Sequence, residues 1–167
     1  ATMAMRLVTL NKAADITTLS DDPDHKPDYQ FFDTYGWDSD SEYLAFHQRQ
    51  VLNQMKRVPV SGTASGLSTR LETWRKQGYH VYAKTGTLND GRPGQTRSSR
   101  IKHLMVIISN TDLETVRDPD KLKDVKYYVL YMSYIGIDEN LFGGNGRFIP
   151  MIDAVIESEL FKKYMEN

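Results

Sequence analysis

The stretch Tyr79-His80-Val81-Tyr82-Ala83-Lys84-Thr85-Gly86-Thr87-Leu88, followed by Asn89-Asp90-Gly91, restricts most strongly how this chain folds. Tyr79, Val81 and Ala83 alternate with His80, Tyr82 and Lys84, and that period of two predicts a half-buried strand running into a turn. Successive side chains of a strand point to opposite faces, so Lys84 shares a face with Gly86, and Thr85 shares the other with Thr87. A lysine beside a glycine leaves the backbone open to an extended ligand, with two hydroxyls close by. That is the outline of a carboxylate-binding strand. Lys-Thr-Gly arises by chance in roughly one chain in twenty-five of this size, so the order of the surrounding elements has to decide its meaning.

The chain has 167 residues, enough for one sizeable core, and at 40% hydrophobic and 26% charged it has the balance of a soluble globular domain. A net charge of −1 gives no electrostatic case for nucleic acid or for an anionic membrane surface. With no cysteine there is neither a disulfide framework nor a thiolate metal site. His25, His47, His80 and His103 are scattered without ligand spacing, so neither a metal nor a cofactor is expected. No apolar run is long enough to cross a bilayer, and Ala1-Thr2-Met3-Ala4-Met5-Arg6 does not have the pattern of a signal peptide.

The opening, ATMAMRLVTLNKAA, reads as a helix with Thr2 as N-cap. Its abrupt apolar start leads us to expect residues upstream. Residues 15–40 form a polar, turn-rich loop in which Asp21, Asp22 and Asp24 lack the glycine and terminal glutamate of a calcium loop. Phe31, Phe32, Tyr35 and Trp37 are expected to clamp that loop onto the body or line a groove. Ser39-Asp40-Ser41-Glu42 is a capping box opening the helix EYLAFHQRQVLNQMKR, with Leu44, His47, Val51 and Met55 as its apolar stripe and Tyr43 and Leu52 alongside. Val58-Pro59-Val60 is expected to end it. The small residues Ser61-Gly62-Thr63-Ala64-Ser65-Gly66-Leu67 then lead into a short helix, LSTRLETWRKQ, stopped by Gly78.

Beyond the central strand, residues 89–100 form a basic loop with Arg92, Arg97 and Arg100. Lys102 to Ser109 reads as a buried strand, residues 110–124 as a charged loop, and Val125 to Ile135 as a tyrosine-rich third strand. Three consecutive strands predict an antiparallel meander. After the turn Gly143-Gly144-Asn145-Gly146, one amphipathic helix with Phe148, Ile152, Val155, Ile156 and Leu160 on a face covers the sheet. The fold class is therefore α+β: residues 1–78 mainly helical with a long loop at 15–40, and 79–167 a three-stranded antiparallel sheet with a C-terminal helix.

The run from Glu42 to Ser109 resembles the C-terminal part of penicillin-binding transpeptidase domains, the serine acyl-transferase superfamily that includes class A β-lactamases. The resemblance rests on a helix leading to Gly62-Thr63-Ala64, then a short helix, then the strand bearing Lys84-Thr85-Gly86-Thr87. Two further strands and a terminal helix follow. It covers about two-thirds of the chain and implies a partial β-lactamase/transpeptidase-like fold. The family's other two motifs depart from the pattern. No Ser-x-Asn occurs, and the one Ser-x-x-Lys, Ser99-Arg100-Ile101-Lys102, follows the Lys-Thr-Gly strand instead of opening a helix before it. The nucleophile is accordingly expected on a segment outside this chain, which by itself would be inactive.

The resemblance implies acyl transfer on D-Ala-D-Ala stem peptides or β-lactams. In it Lys84 and Thr87 are the catalytic residues of this chain and Thr85 and Gly86 the substrate-binding ones, with Thr87 N–H an oxyanion donor. The implied partners are a peptidoglycan stem peptide or β-lactam and the remainder of the transpeptidase domain. The implied location is extracytoplasmic, periplasm or cell surface, anchored through a segment outside this chain. The alternative is a non-catalytic module of the same fold binding cell-wall peptide or a protein partner, and a third possibility is an unrelated α+β domain.

Overall fold

The computed structural model describes residues 4, 7, 8, 42–90, 99–118, 121, 125–136 and 144–166. Thr2, the acidic and aromatic residues of the 15–40 loop, the capping residues before Glu42, Arg92, Arg97 and Gly143 lie outside them.

The strands β1 (His80–Asp90), β2 (Ser99–Ser109) and β3 (Tyr127–Gly136) form one antiparallel sheet in the order β1-β2-β3. Pairing runs one-for-one from His80↔Ser109 to Asp90↔Ser99, and from Arg100↔Gly136 to Ser109↔Tyr127. The meander and the α+β class are as expected. The ends differ: Asn89, Asp90, Ser99 and Arg100, read as loop, continue the ladder between β1 and β2.

Both faces of the sheet are covered. On one face Val81, Ala83, Leu104, Val106 and Ile108 pack with Leu71 and Trp74 of α2 (Ser68–Lys76) and with Ile152, Phe161 and Met165 of α3 (Ile149–Glu157) and α4 (Glu159–Glu166). On the other, Tyr82, Met105 and Ile107 meet Leu52 and Met55 of α1 (Glu42–Ser61), together with Ala4, Val8 and Leu113. Leu104 to Ile108 are consequently buried on both sides, as a continuous apolar run predicts. Burying each such leucine or isoleucine contributes about 1.5–3 kcal/mol. Tyr82 overturns the half-buried reading of β1, because the face expected to be wet carries a second core at that point.

Three local corrections follow from packing. In α1 the buried side is Gln48, Arg49, Leu52, Met55 and Pro59, whereas His47 and Val51 are exposed; the side chains of Tyr43 and Leu44 lie outside the described residues. The stripe is therefore rotated by about one residue, and a charged group, Arg49, occupies the core side. Pro59 does not end the helix, which continues to Ser61. The proline removes the N–H that would bond the Met55 carbonyl and crowds that carbonyl, but Pro59 is buried, and the Val58 carbonyl still closes the last turn by accepting from Gly62 N at 3.1 Å and Ala64 N at 3.3 Å.

The single C-terminal helix is two helices broken at Ser158, whose backbone is extended (φ −64°, ψ 120°). Its Oγ accepts from Phe161 N at 3.4 Å, starting a new helix. The break turns Phe161 and Met165 into the core and leaves Leu160 76% exposed, so Leu160 is not part of the packing stripe. Finally, α2 stops as expected at Gly78, where φ is +89° and Tyr79 N reaches back to Trp74 O at 3.1 Å.

Candidate functional site

The four expected site residues sit together on β1, an edge strand of the described sheet. Lys84 and Gly86 lie on the α1 face, beyond the part that α1 covers, and Lys84 is exposed. Its Nζ donates to the Thr85 carbonyl at 2.5 Å, so the cation is folded back along its own strand. Thr85 and Thr87 point to the opposite face. Gly86 pairs with His103 of β2, and Thr87 with Lys102.

The turn after α1 supplies a residue that strand periodicity did not reveal. Thr63 Oγ1 and Thr85 Oγ1 share a hydrogen bond of 2.5 Å, short even for two hydroxyls. The chain brings Thr63 there by crossing from one face of the sheet to the other at the β1 edge. Leu52 and Met55 belong to the core under α1, whereas Ala64 and Leu67, just past the turn, belong to the core under α2. Gly62 makes the tight crossing possible, since a Cβ there would lie 2.9 Å from both Cα and O of Val58. The Gly-Thr-Ala triplet was the only signal in the sequence for a link between this turn and the strand.

Across the sheet, His103 stacks on Tyr131 of β3, ring centroids 5.8 Å apart, and Nδ1 is 2.7 Å from the Tyr131 hydroxyl. A Cβ built on Gly86 would lie 3.5 Å from His103 Cβ and 3.6 Å from Cδ2. Ser99 stands at the first position of β2, opposite Asp90, not at a helix start.

A second polar cluster lies at the other end of the same face and holds α1 to the turn after β2. Lys56 Nζ is 3.0 Å from Asp112 Oδ2 and 2.9 Å from Glu114 Oε1, and Asn53 Nδ2 donates to Glu114 Oε2 at 2.7 Å. Tyr82 donates to Asp112 Oδ1 at 3.1 Å and accepts from Leu113 N at 2.9 Å. Burial, and then the Asp112 charge, raises the Tyr82 hydroxyl well above its usual value. Burial alone would raise Asp112, but bonds from Lys56 and Tyr82 outweigh it and hold the carboxyl below 3.8. Burial likewise disfavours charged Lys56, yet Glu114 and Asp112 hold it above 10.5. Arg49 donates to the carbonyls of Leu113 at 2.8 Å and Leu7 at 2.6 Å, and burial lowers its guanidinium to about 10. Together these bonds hold α1 to the turn after β2 as a structural clasp.

Among the described residues no group of three or more His, Cys, Asp or Glu is placed to hold a metal, and no helix is long and apolar enough to cross a membrane. Comparisons of the chain with protein-family models, with curated proteins and with solved structures each found no match.

Proposed function

We infer that this chain is the C-terminal part of a penicillin-binding DD-transpeptidase with a β-lactamase-like fold, and that it supplies the strand holding the substrate carboxylate. The observation carrying this reading is the Thr63–Thr85 bond, which fastens the Gly-Thr-Ala turn to the Lys-Thr-Gly strand at a sheet edge. The order helix, turn, short helix, edge strand, two more strands and terminal helices supports it.

On this reading a stem peptide ending in D-Ala-D-Ala adds to the outer edge of β1, where Gly86 presents no side chain to obstruct its backbone. The Lys84 ammonium leaves the Thr85 carbonyl and faces the terminal carboxylate from the α1 side of the strand edge, while the hydroxyls of Thr85 and Thr87 donate to it from the opposite side. Charge-assisted bonds of this kind contribute about 1.5–3 kcal/mol each. A serine on a segment outside this chain attacks the penultimate carbonyl. Its Oγ–C bond forms as the amide C–N bond breaks, the terminal D-Ala leaves with the proton, and an acceptor amine then displaces the serine. Thr87 N–H stabilises the intermediate oxyanion, a contribution on the order of 10²–10³ in rate. Work on such peptides places the protein outside the cytoplasm, anchored through another segment.

Fluorescent penicillin labelling of the complete gene product and of the 167-residue chain tests this. The complete product is expected to label and the chain alone is not, with Lys84→Ala slowing acylation by about 10–100-fold, as loss of one charge-assisted bond implies. Labelling of the chain alone would make Ser99 the nucleophile and overturn the assignment. Labelling of neither would replace the transpeptidase with a binding module.

A further inference from the structure

The turn after α1 is braced on both sides of Thr63. Gly62 N and Ala64 N, its two neighbours, both donate to the Val58 carbonyl, at 3.1 and 3.3 Å. Ser65 N donates back to Gly62 O at 3.0 Å, Leu67 N to Ala64 O at 2.9 Å, and the side chains of Ala64 and Leu67 are fully buried. Thr63 itself is exposed, and its β-branch restricts χ1. The backbone thus mounts one hydroxyl rigidly at the surface, where it meets Thr85 Oγ1 at 2.5 Å. A bond open to water adds little to folding, because solvent can replace either partner. Its direction matters more to the site than its strength.

The proton count fixes what each direction permits. A threonine hydroxyl carries one proton and two acceptor lone pairs, whereas an ionised carboxylate only accepts. If Thr85 donates to Thr63, it has no proton left for a ligand. If Thr63 donates to Thr85, the Thr85 proton is free and its oxygen is already held. A carboxylate beside Lys84 therefore selects the second arrangement, in which the bonds run one way, from Thr63 to Thr85 to the carboxylate, and each polarises the next.

We propose that Thr63 is a positioning residue of the Lys84–Thr87 site, donating to Thr85 Oγ1 so that the single proton of Thr85 points at the ligand's terminal carboxylate. This rests on the reading of β1 as the ligand strand, and it adds a source of specificity outside Lys-Thr-Gly. Preference for a free carboxylate over its neutral ester is then set in part by a residue that acts through Thr85, since a donor aimed in advance gains most from a charged acceptor.

The test is the acylation rate of the complete gene product by benzylpenicillin and by its methyl ester, in wild type, Thr63→Val, Thr63→Ser, Thr85→Val, the Thr63→Val/Thr85→Val double variant and Lys84→Ala. The ratio of the two rates is the readout, because a smaller folded fraction slows both probes alike. Thr63→Val is expected to lower the acid-over-ester preference about fivefold: roughly threefold for choosing one of three staggered hydroxyl orientations, and the rest for the lost polarisation. Thr63→Ser, which keeps the donor, recovers most of it, and Thr63→Val adds nothing once Thr85 is valine. A preference that rises in Thr63→Val would make Thr63 an acceptor competing with the ligand, and overturns the proposal. An effect that persists in the double variant would make Thr63 a direct ligand contact, and also overturns it. An unchanged preference, with Lys84→Ala still lowering it, overturns the role of Thr63 and leaves the ligand strand standing. Absence of acylation, or acylation that Lys84→Ala leaves unchanged, overturns both.

Discussion

Tyr82 is the residue whose surroundings differ most from its local pattern. Alternation with Lys84 assigns it to a polar face, yet it is fully buried, and only its hydroxyl meets polar groups. No neighbour in sequence announces this, because its partners Asp112 and Leu113 lie about thirty positions away. Tyr82→Phe keeps the ring and removes the acceptor of the buried Leu113 N–H. The variant is expected to lose about 1–3 kcal/mol, the cost of an unsatisfied buried donor, read as a lower urea midpoint at unchanged slope. The candidate site was more legible at this scale: Lys84, Thr85, Gly86 and Thr87 were identifiable as letters. Thr63 and His103 were not, since what marks them is a contact across the chain.

At the scale of elements, the clasp between α1 and the turn after β2 gives the fold a pH signature. Asp112 titrates below its ordinary 3.8 in the folded protein. Its contribution is therefore intact above that value and is lost as pH falls through the depressed one. Lys56 is raised above 10.5, so its contribution is intact below 10.5 and is lost as pH rises through the higher folded value. Urea midpoints measured from pH 2 to 7 are expected to fall at the acid end, and Asp112→Asn is expected to lower the neutral plateau and flatten that fall; an unchanged acid limb in the variant would count against the clasp. The elements themselves were largely readable, including α2 with its Gly78 stop. The Pro59 and Ser158 boundaries were misjudged because both turn on burial: Pro59 packs inward and stays within the last turn despite the hydrogen bond it removes, and burying Phe161 and Met165 outweighs the continuity of one helix.

At the scale of the whole molecule, β2 is shared by both cores. Leu104 and Ile107 are each fully buried, on opposite faces. Replacing either with alanine is expected to cost about 2–5 kcal/mol, and both variants should unfold in one transition with the same midpoint by circular dichroism and tryptophan fluorescence. Two separated transitions would mean that the faces fold independently. The sequence by itself determined the three strands, their antiparallel order and the presence of flanking helices. Those depend on periodicity, turn residues and residue type, all of which are local. Only the tertiary structure decided that β1 is buried on both faces near Tyr82, that Arg49 rather than His47 faces inward, that Thr63 meets Thr85, and that His103 leans over Gly86. Each depends on which distant segment arrives at a given face, and alternation along a strand specifies two faces without specifying what covers either.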